Sequence, residues 1–229
     1  MSFISLLLQV DTALNAAAPA APAPEKISLL SLLMEGGALM VPLLLCSVIM
    51  VYVFVERLLL IRKASPVDGA MMVRIQQAVV AGDTAAALSA CRNSATAVAR
   101  VMEKGISRVG RPYEQIEKAM ENAGRLEVYK LEKNISVLST IAGIAPIFGF
   151  LGTIAGMIIL FFNVQHQGFS LETIAGGIYT KMVTSAAGLI IGLLAYVGYA
   201  YLNAQINKAV HNIESASVEF LDNIPTTSN

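Results

Sequence analysis

From Asn134 to Leu171 the chain runs for 38 residues without an acidic or basic side chain, apart from His166, which is neutral at pH 7. Inside that run stands Pro146-Ile-Phe-Gly-Phe-Leu-Gly-Thr-Ile-Ala-Gly156. An apolar stretch of about 18 residues or more is long enough to cross a bilayer as a helix. A second apolar run follows after a short loop and carries one lysine, Lys181. Both runs are laced with Gly, Ser and Thr, which suits helices that pack tightly on other helices rather than merely sit in lipid. That combination points to a membrane assembly that moves ions.

Composition agrees. The chain is 55% hydrophobic and 14% charged, whereas a soluble domain is about a quarter charged. Of its 16 Lys and Arg, 13 lie between Arg57 and Lys133. Positive charge that follows directly on a span marks the cytoplasmic side. The first span, about Ala38 to Ile61, ends in Glu56-Arg57, Arg62 and Lys63, so the charged block is expected inside and the amino terminus outside. The loop between the later spans has no basic residue other than His166, which places it outside and the carboxyl terminus inside.

The expected organisation is all-α, with three transmembrane helices and a helical cytoplasmic segment. Residues 1–35 form an external amino-terminal segment with an Ala/Pro-rich spacer, which proline holds extended. Residues 36–62 are the first span, 63–135 the cytoplasmic segment, 136–163 the second span and 164–172 an external loop. The third span covers 173–203, and 204–229 form a cytoplasmic helix and tail. Within the cytoplasmic segment, Asp68 is a candidate cap for a helix over Gly69 to Val80. Gly82-Asp83-Thr84 caps a helix to Arg92, another runs from Ala95 to Arg108, and Gly110-Arg-Pro112 opens the next. Glu114 with Lys118 and Glu121 with Arg125 have i,i+4 spacing. No breaker precedes the second span, so one unbroken helix is predicted from the charged segment into the membrane. Cys46 and Cys91 fall on opposite sides of the interface, which excludes a disulfide between them.

Helical spacing gathers Gly149, Gly152, Thr153 and Gly156 into one sector of the second span, and Ser185, Gly188 and Gly192 into one sector of the third. Gly152/Gly156 and Gly188/Gly192 are GxxxG spacings, which let backbones approach. These faces are expected to point toward a cavity shared by identical copies. Pro146 removes a backbone bond early in the second span and marks a kink. The hydroxyls of Thr153, Thr180, Thr184 and Ser185 have two readings, a polar pathway or bonds back to their own helix. Lys181 also has two: its stem snorkels to the outer interface, or its charge faces inward and meets a carboxylate. Apart from Glu56 at the first span's inner edge, the spans hold no Asp or Glu, so any proton path needs a carboxylate from another subunit.

The residues quoted so far resemble the ExbB/TolQ/MotA proton-channel family, and its ExbB branch more than the others. The resemblance covers about Gly36 to Asn207. It rests on Phe54-Val-Glu-Arg57, Gly82-Asp83, Cys91-Arg92, Val98-Ala-Arg-Val-Met102 and Gly105-Ile106. Its most specific part is Ala142 to Gly156, and Gly177-Ile178 with Ala186 to Leu189 complete it. The resemblance implies a homopentamer in the bacterial inner membrane, its second and third spans lining a central pore. It also implies an ExbD-like single-span partner, a dimer in that pore that supplies an aspartate, and a TonB-like protein driven by proton flow. Thr153 falls on the family's pore threonine and Ser185 on its counterpart in the third span. Thr180 stands where the family has a glutamate, and Lys181 beside it is a second departure.

No enzyme is expected. His166 and His211 lie on opposite sides of the membrane, and neither a nucleophile motif nor a metal-ligand cluster is present, so no cofactor or metal is implied. Basic and acidic residues alternate in the charged segment, which argues against nucleic-acid binding.

Overall fold

A computed structural model describes residues 39–66, 69–168 and 170–224, and these are helices joined by short turns. The amino-terminal spacer and the proposed Asp68 cap lie outside the described residues. Among the described residues seven helices follow in order: α1 (Met40–Ala64), α2 (Gly69–Val80), α3 (Thr84–Arg92), α4 (Ala97–Ile106), α5 (Tyr113–Glu132), α6 (Ile135–Gln167) and α7 (Leu171–Asp222). Among the described residues, three stretches are long and apolar enough to cross a membrane, centred on α1, α6 and α7. Their outward faces carry large apolar side chains such as Leu45, Val48, Ile158, Phe161, Leu193 and Val197, all exposed. Lipid is the environment that makes such faces stable.

The charged segment folds into a lobe of its own. Asp83 accepts the Ala86 amide at 2.9 Å and starts α3. Thr96 accepts the Ala99 amide at 3.2 Å. That cap makes α4 begin at Ala97 instead of Ala95, and Ser107 to Gly110 turn away before Arg108 can extend it. The apolar face of α4 is buried almost to completion, with Val98, Val101, Met102 and Ile106 at 2% exposure or less. It packs against Ile116 and Met120 of α5 and Phe220 near the end of α7. Gly105 of α4 has no side chain because Met120 and the Phe220 ring occupy that space.

The unbroken helix expected from the charged segment into the membrane is not observed. Helix α5 ends at Glu132, and Asn134 takes φ 64°, the left-handed conformation, before α6 begins at Ile135. Asparagine tolerates that conformation better than most residues. The break takes two residues, Lys133 in an extended conformation and Asn134 in the left-handed one, with no Gly or Pro to announce it. By contrast α7 continues without interruption for 52 residues, from the start of the third span into the lobe. There Leu202, Ile206, Ala209, Ile213 and Phe220 are buried. Asn212 donates to the Ser65 carbonyl at 3.3 Å and Gln76 to Glu219 at 2.8 Å, which ties α7 to α1 and α2.

Candidate functional site

Helices α6 and α7 run antiparallel in continuous contact, and the glycines explain how. A Cβ on Gly188 would stand 2.6 Å from the Ala145 carbonyl oxygen and 2.8 Å from the Gly149 Cα. One on Gly149 would meet the backbone of Ser185 and Gly188 at 3.1 to 3.3 Å. One on Gly192 would overlap the Pro146 ring at 2.6 Å. Higher on α6, Gly152 receives the Thr184 methyl group, and Gly156 lies under the aliphatic stem of Lys181. The two backbones are therefore close enough for Cα–H groups to meet carbonyl oxygens, a contact worth about 0.5–1 kcal/mol each. Pro146 sits in the notch that Gly192 leaves, so its ring is packed and α6 runs on through it.

This seam corrects one expectation. Gly149, Gly152, Gly156, Gly188 and Gly192 face the other helix of the same chain, rather than a cavity shared between copies. Thr153, which spacing grouped with them, stands beside the seam and is half-buried. It lines an apolar groove of about 510 Å³ along α6 with Phe150, Ile154, Met157, Ile158 and Phe161.

The hydroxyls mostly bond within their helices. Thr153 donates to the Phe150 carbonyl at 2.6 Å, Thr180 to Gly176 at 3.0 Å and Thr184 to Thr180 at 3.3 Å. Thr153 and Thr180 each keep a lone pair for another donor. Thr184 is fully buried in the seam, Ser185 is half-buried, and Thr153 and Ser185 share no hydrogen bond. Lys181 is half-buried and forms no ion pair among the described residues, Glu172 included. From Thr173 to Ile213 the chain has no Asp or Glu, and α6 has none. Across that stretch the pair offers hydroxyls and the ammonium groups of Lys181 and Lys208 but no carboxylate; the acids of α7 are Glu172 in its first turn and Glu214, Glu219 and Asp222 at its far end.

Sequence reading missed a second polar feature, on the lobe side of the break. Glu127 of α5 is buried, at 5% exposure, between Arg100 and Lys130. Arg100 donates to it from Nε at 2.8 Å and again from Nη2, and Lys130 from Nζ at 2.6 Å. Burial alone would push its carboxyl up, but the hydrogen bonds and charges of Arg100 and Lys130 outweigh that and hold it below the usual value. One turn on, buried Arg57 of α1 donates to the Lys130 carbonyl at 3.2 Å and pairs with Glu56 at 2.9 Å. The end of the first span is thereby fastened to the last turn of α5, just before the Asn134 break. A signal for Glu127 existed: it occupies the place in the Ile116, Met120, Ala123, Leu131 series where an apolar residue belongs. Of the two expected i,i+4 pairs, Glu121–Arg125 closes at 2.6 Å and Glu114–Lys118 does not.

Comparison with known proteins completes the site. The chain is 23% identical over 176 residues to a putative biopolymer transport protein ExbB homolog of Methanothermobacter thermautotrophicus, covering 74% of this chain and 62% of that one. It is 28% identical over 183 residues to a putative biopolymer transport protein ExbB-like 1 of Synechocystis, covering 76% and 70%. It is 28% identical over 110 residues to the Tol-Pal system protein TolQ of Haemophilus influenzae, covering 48% and 46%. The match thus spans less than two thirds of the first and third of these relatives. Residues 93–215, more than half of the chain and all of the α6–α7 seam, match the family profile, and the chain belongs to the MotA/TolQ/ExbB proton channel family.

Proposed function

We propose that this chain is the membrane subunit of a proton-driven motor, working with an ExbD-like single-span partner to energise a TonB-like protein for outer-membrane transport. Copies assemble as a homopentamer in the bacterial inner membrane, with the amino terminus in the periplasm and the charged lobe in the cytoplasm. The observation that carries the reading is the open groove along α6 with Thr153 on its wall, where neither α6 nor the stretch of α7 from Thr173 to Ile213 has a carboxylate. A partner helix laid along that groove brings the missing acid to the hydroxyls of Thr153 and Ser185. Thr180, Thr184 and Lys181 lie on the α7 side of the same pathway. Each proton moved yields about 2.3 kcal/mol per 100 mV, so several per cycle suffice to shift one subunit against another.

Replacing Thr153 with leucine tests this. TonB-type uptake should fall to background with normal expression of the protein; full uptake would remove Thr153 from the pathway.

Two other readings have specific support. Similarity to a TolQ as well as to ExbB homologues favours an envelope-maintenance motor with the same mechanism and a different output. The absence of a carboxylate from α6 and from Thr173 to Ile213 of α7 favours a non-conducting scaffold. Proton flux through the reconstituted complex, abolished by Asp→Asn in the partner's span, excludes the scaffold.

A further inference from the structure

We propose that the groove between α5 and α7 is a docking site for a cationic amphipathic helix, contributed by the single-span partner from the cytoplasmic end of its membrane segment. The identity of the partner rests on the motor reading above.

Helices α5 and α7 approach where Gly124 lacks a side chain, its Cβ position 3.6 Å from Ile213, and beside that contact they leave a groove of about 590 Å³. That is the size of a site that takes the side chains of a short helical segment. Its floor is apolar, formed by Met120, Val128, Val210, Ile213 and Leu221. Its walls carry Glu117, Glu121 and Glu132 from α5 and Glu214 from α7, against the single cation Arg125. Arg125 is already bound to Glu121, so Glu117, Glu132 and Glu214 have no cationic partner among the described residues.

An apolar floor between two acidic walls selects a helix with an apolar stripe flanked on both sides by Lys or Arg. A membrane span carries basic residues on its cytoplasmic side as a rule. The groove is well placed to meet them, because Glu132 lies next to the turn at which α6 begins.

The test uses the full-length chain in nanodiscs of zwitterionic lipid, with empty discs as background. The probe is a fluorescent leucine/lysine peptide of about four helical turns with one apolar stripe. We expect saturable binding, weakened about tenfold or more by the exposed pair Glu117→Lys and Glu214→Lys. A leucine/glutamate peptide of the same pattern should gain what the lysine peptide loses. Gly124→Leu should block the floor; should it unfold the chain by circular dichroism, the charge-reversal pair decides alone. Binding indifferent to charge reversal, or equal for a scrambled peptide, overturns the proposal. So does a disulfide between copies when Val218→Cys is paired with single cysteines placed on the other faces of the chain, since the groove would then belong to a second copy. Peptide binding reads the groove without proton flux, so its loss leaves the motor reading standing, while loss of flux with binding intact strikes the motor reading alone.

Discussion

The two halves of α7 are one helix packed by opposite means. Toward the membrane it offers Gly188 and Gly192, and its neighbour comes in until backbone meets backbone. Toward the lobe it offers Leu202, Ile206, Ile213 and Phe220, and its neighbours are held off by whole side chains. The difference follows from the solvent. Where water is present, burying a large apolar side chain gains about 1.5–3 kcal/mol. Where lipid surrounds the helix that gain vanishes, and only closeness and hydrogen bonding remain. Polar groups divide the same way: the lobe buries Glu127 by surrounding it with cations, and α6 and the stretch of α7 from Thr173 to Ile213 carry no acid.

The sharpest way to break this contrast is Gly188→Ala. Its methyl group would meet backbone on α6, which cannot step aside, so we expect a loss of about 1–3 kcal/mol by thermal unfolding in detergent. An unchanged midpoint would mean the seam is looser than the backbone contacts require. Next comes Glu127→Gln, which leaves Arg100 and Lys130 facing a neutral amide and should cost the lobe about 1–2 kcal/mol at neutral pH. Because the folded protein holds this carboxyl below its ordinary value of 4.5, the stabilisation is complete above that value. It drains away as the pH falls through the lowered folded value, so wild type and Glu127→Gln should converge in strong acid and differ most near neutrality.

A smaller effect is expected from Gly156→Ala. The atoms in its way are the flexible stem of Lys181, which can rotate aside, so the cost should stay below about 1 kcal/mol. A loss as large as that of Gly188→Ala would show Lys181 to be fixed in place. Smallest is the behaviour of Cys91, whose thiol burial and, second, the Glu103 carboxylate push up to about 11. It should resist alkylation near pH 8 in the folded lobe and react freely on unfolding.

Much of this was legible from residue spacing. The three apolar stretches, the α2 helix and the Asp83 cap follow from periodicity and turn residues, and Gly149, Gly188 and Gly192 announced close packing. Spacing was blind to which surface the glycines meet, because a GxxxG face looks the same whether its partner is the next helix or another copy. The Asn134 break was hidden for a related reason: two non-helical residues, Lys133 and Asn134, leave the apolar pattern on either side intact. Glu127 was overlooked since a lone acid in an apolar series reads as an interruption until Arg100, 27 residues away, is brought to it.

Helix α7 is 52 residues long, which at about 1.5 Å per residue makes it roughly 78 Å from end to end. A tilt of about 5° around its midpoint would carry each tip some 3 Å sideways, with no hinge along its length to absorb the swing. Helix α6, jointed to α5 at Asn134, has no such reach. Any stroke begun near Lys181 would therefore arrive at Phe220 through α7 acting as a lever, while its jointed companion supplies the pivot.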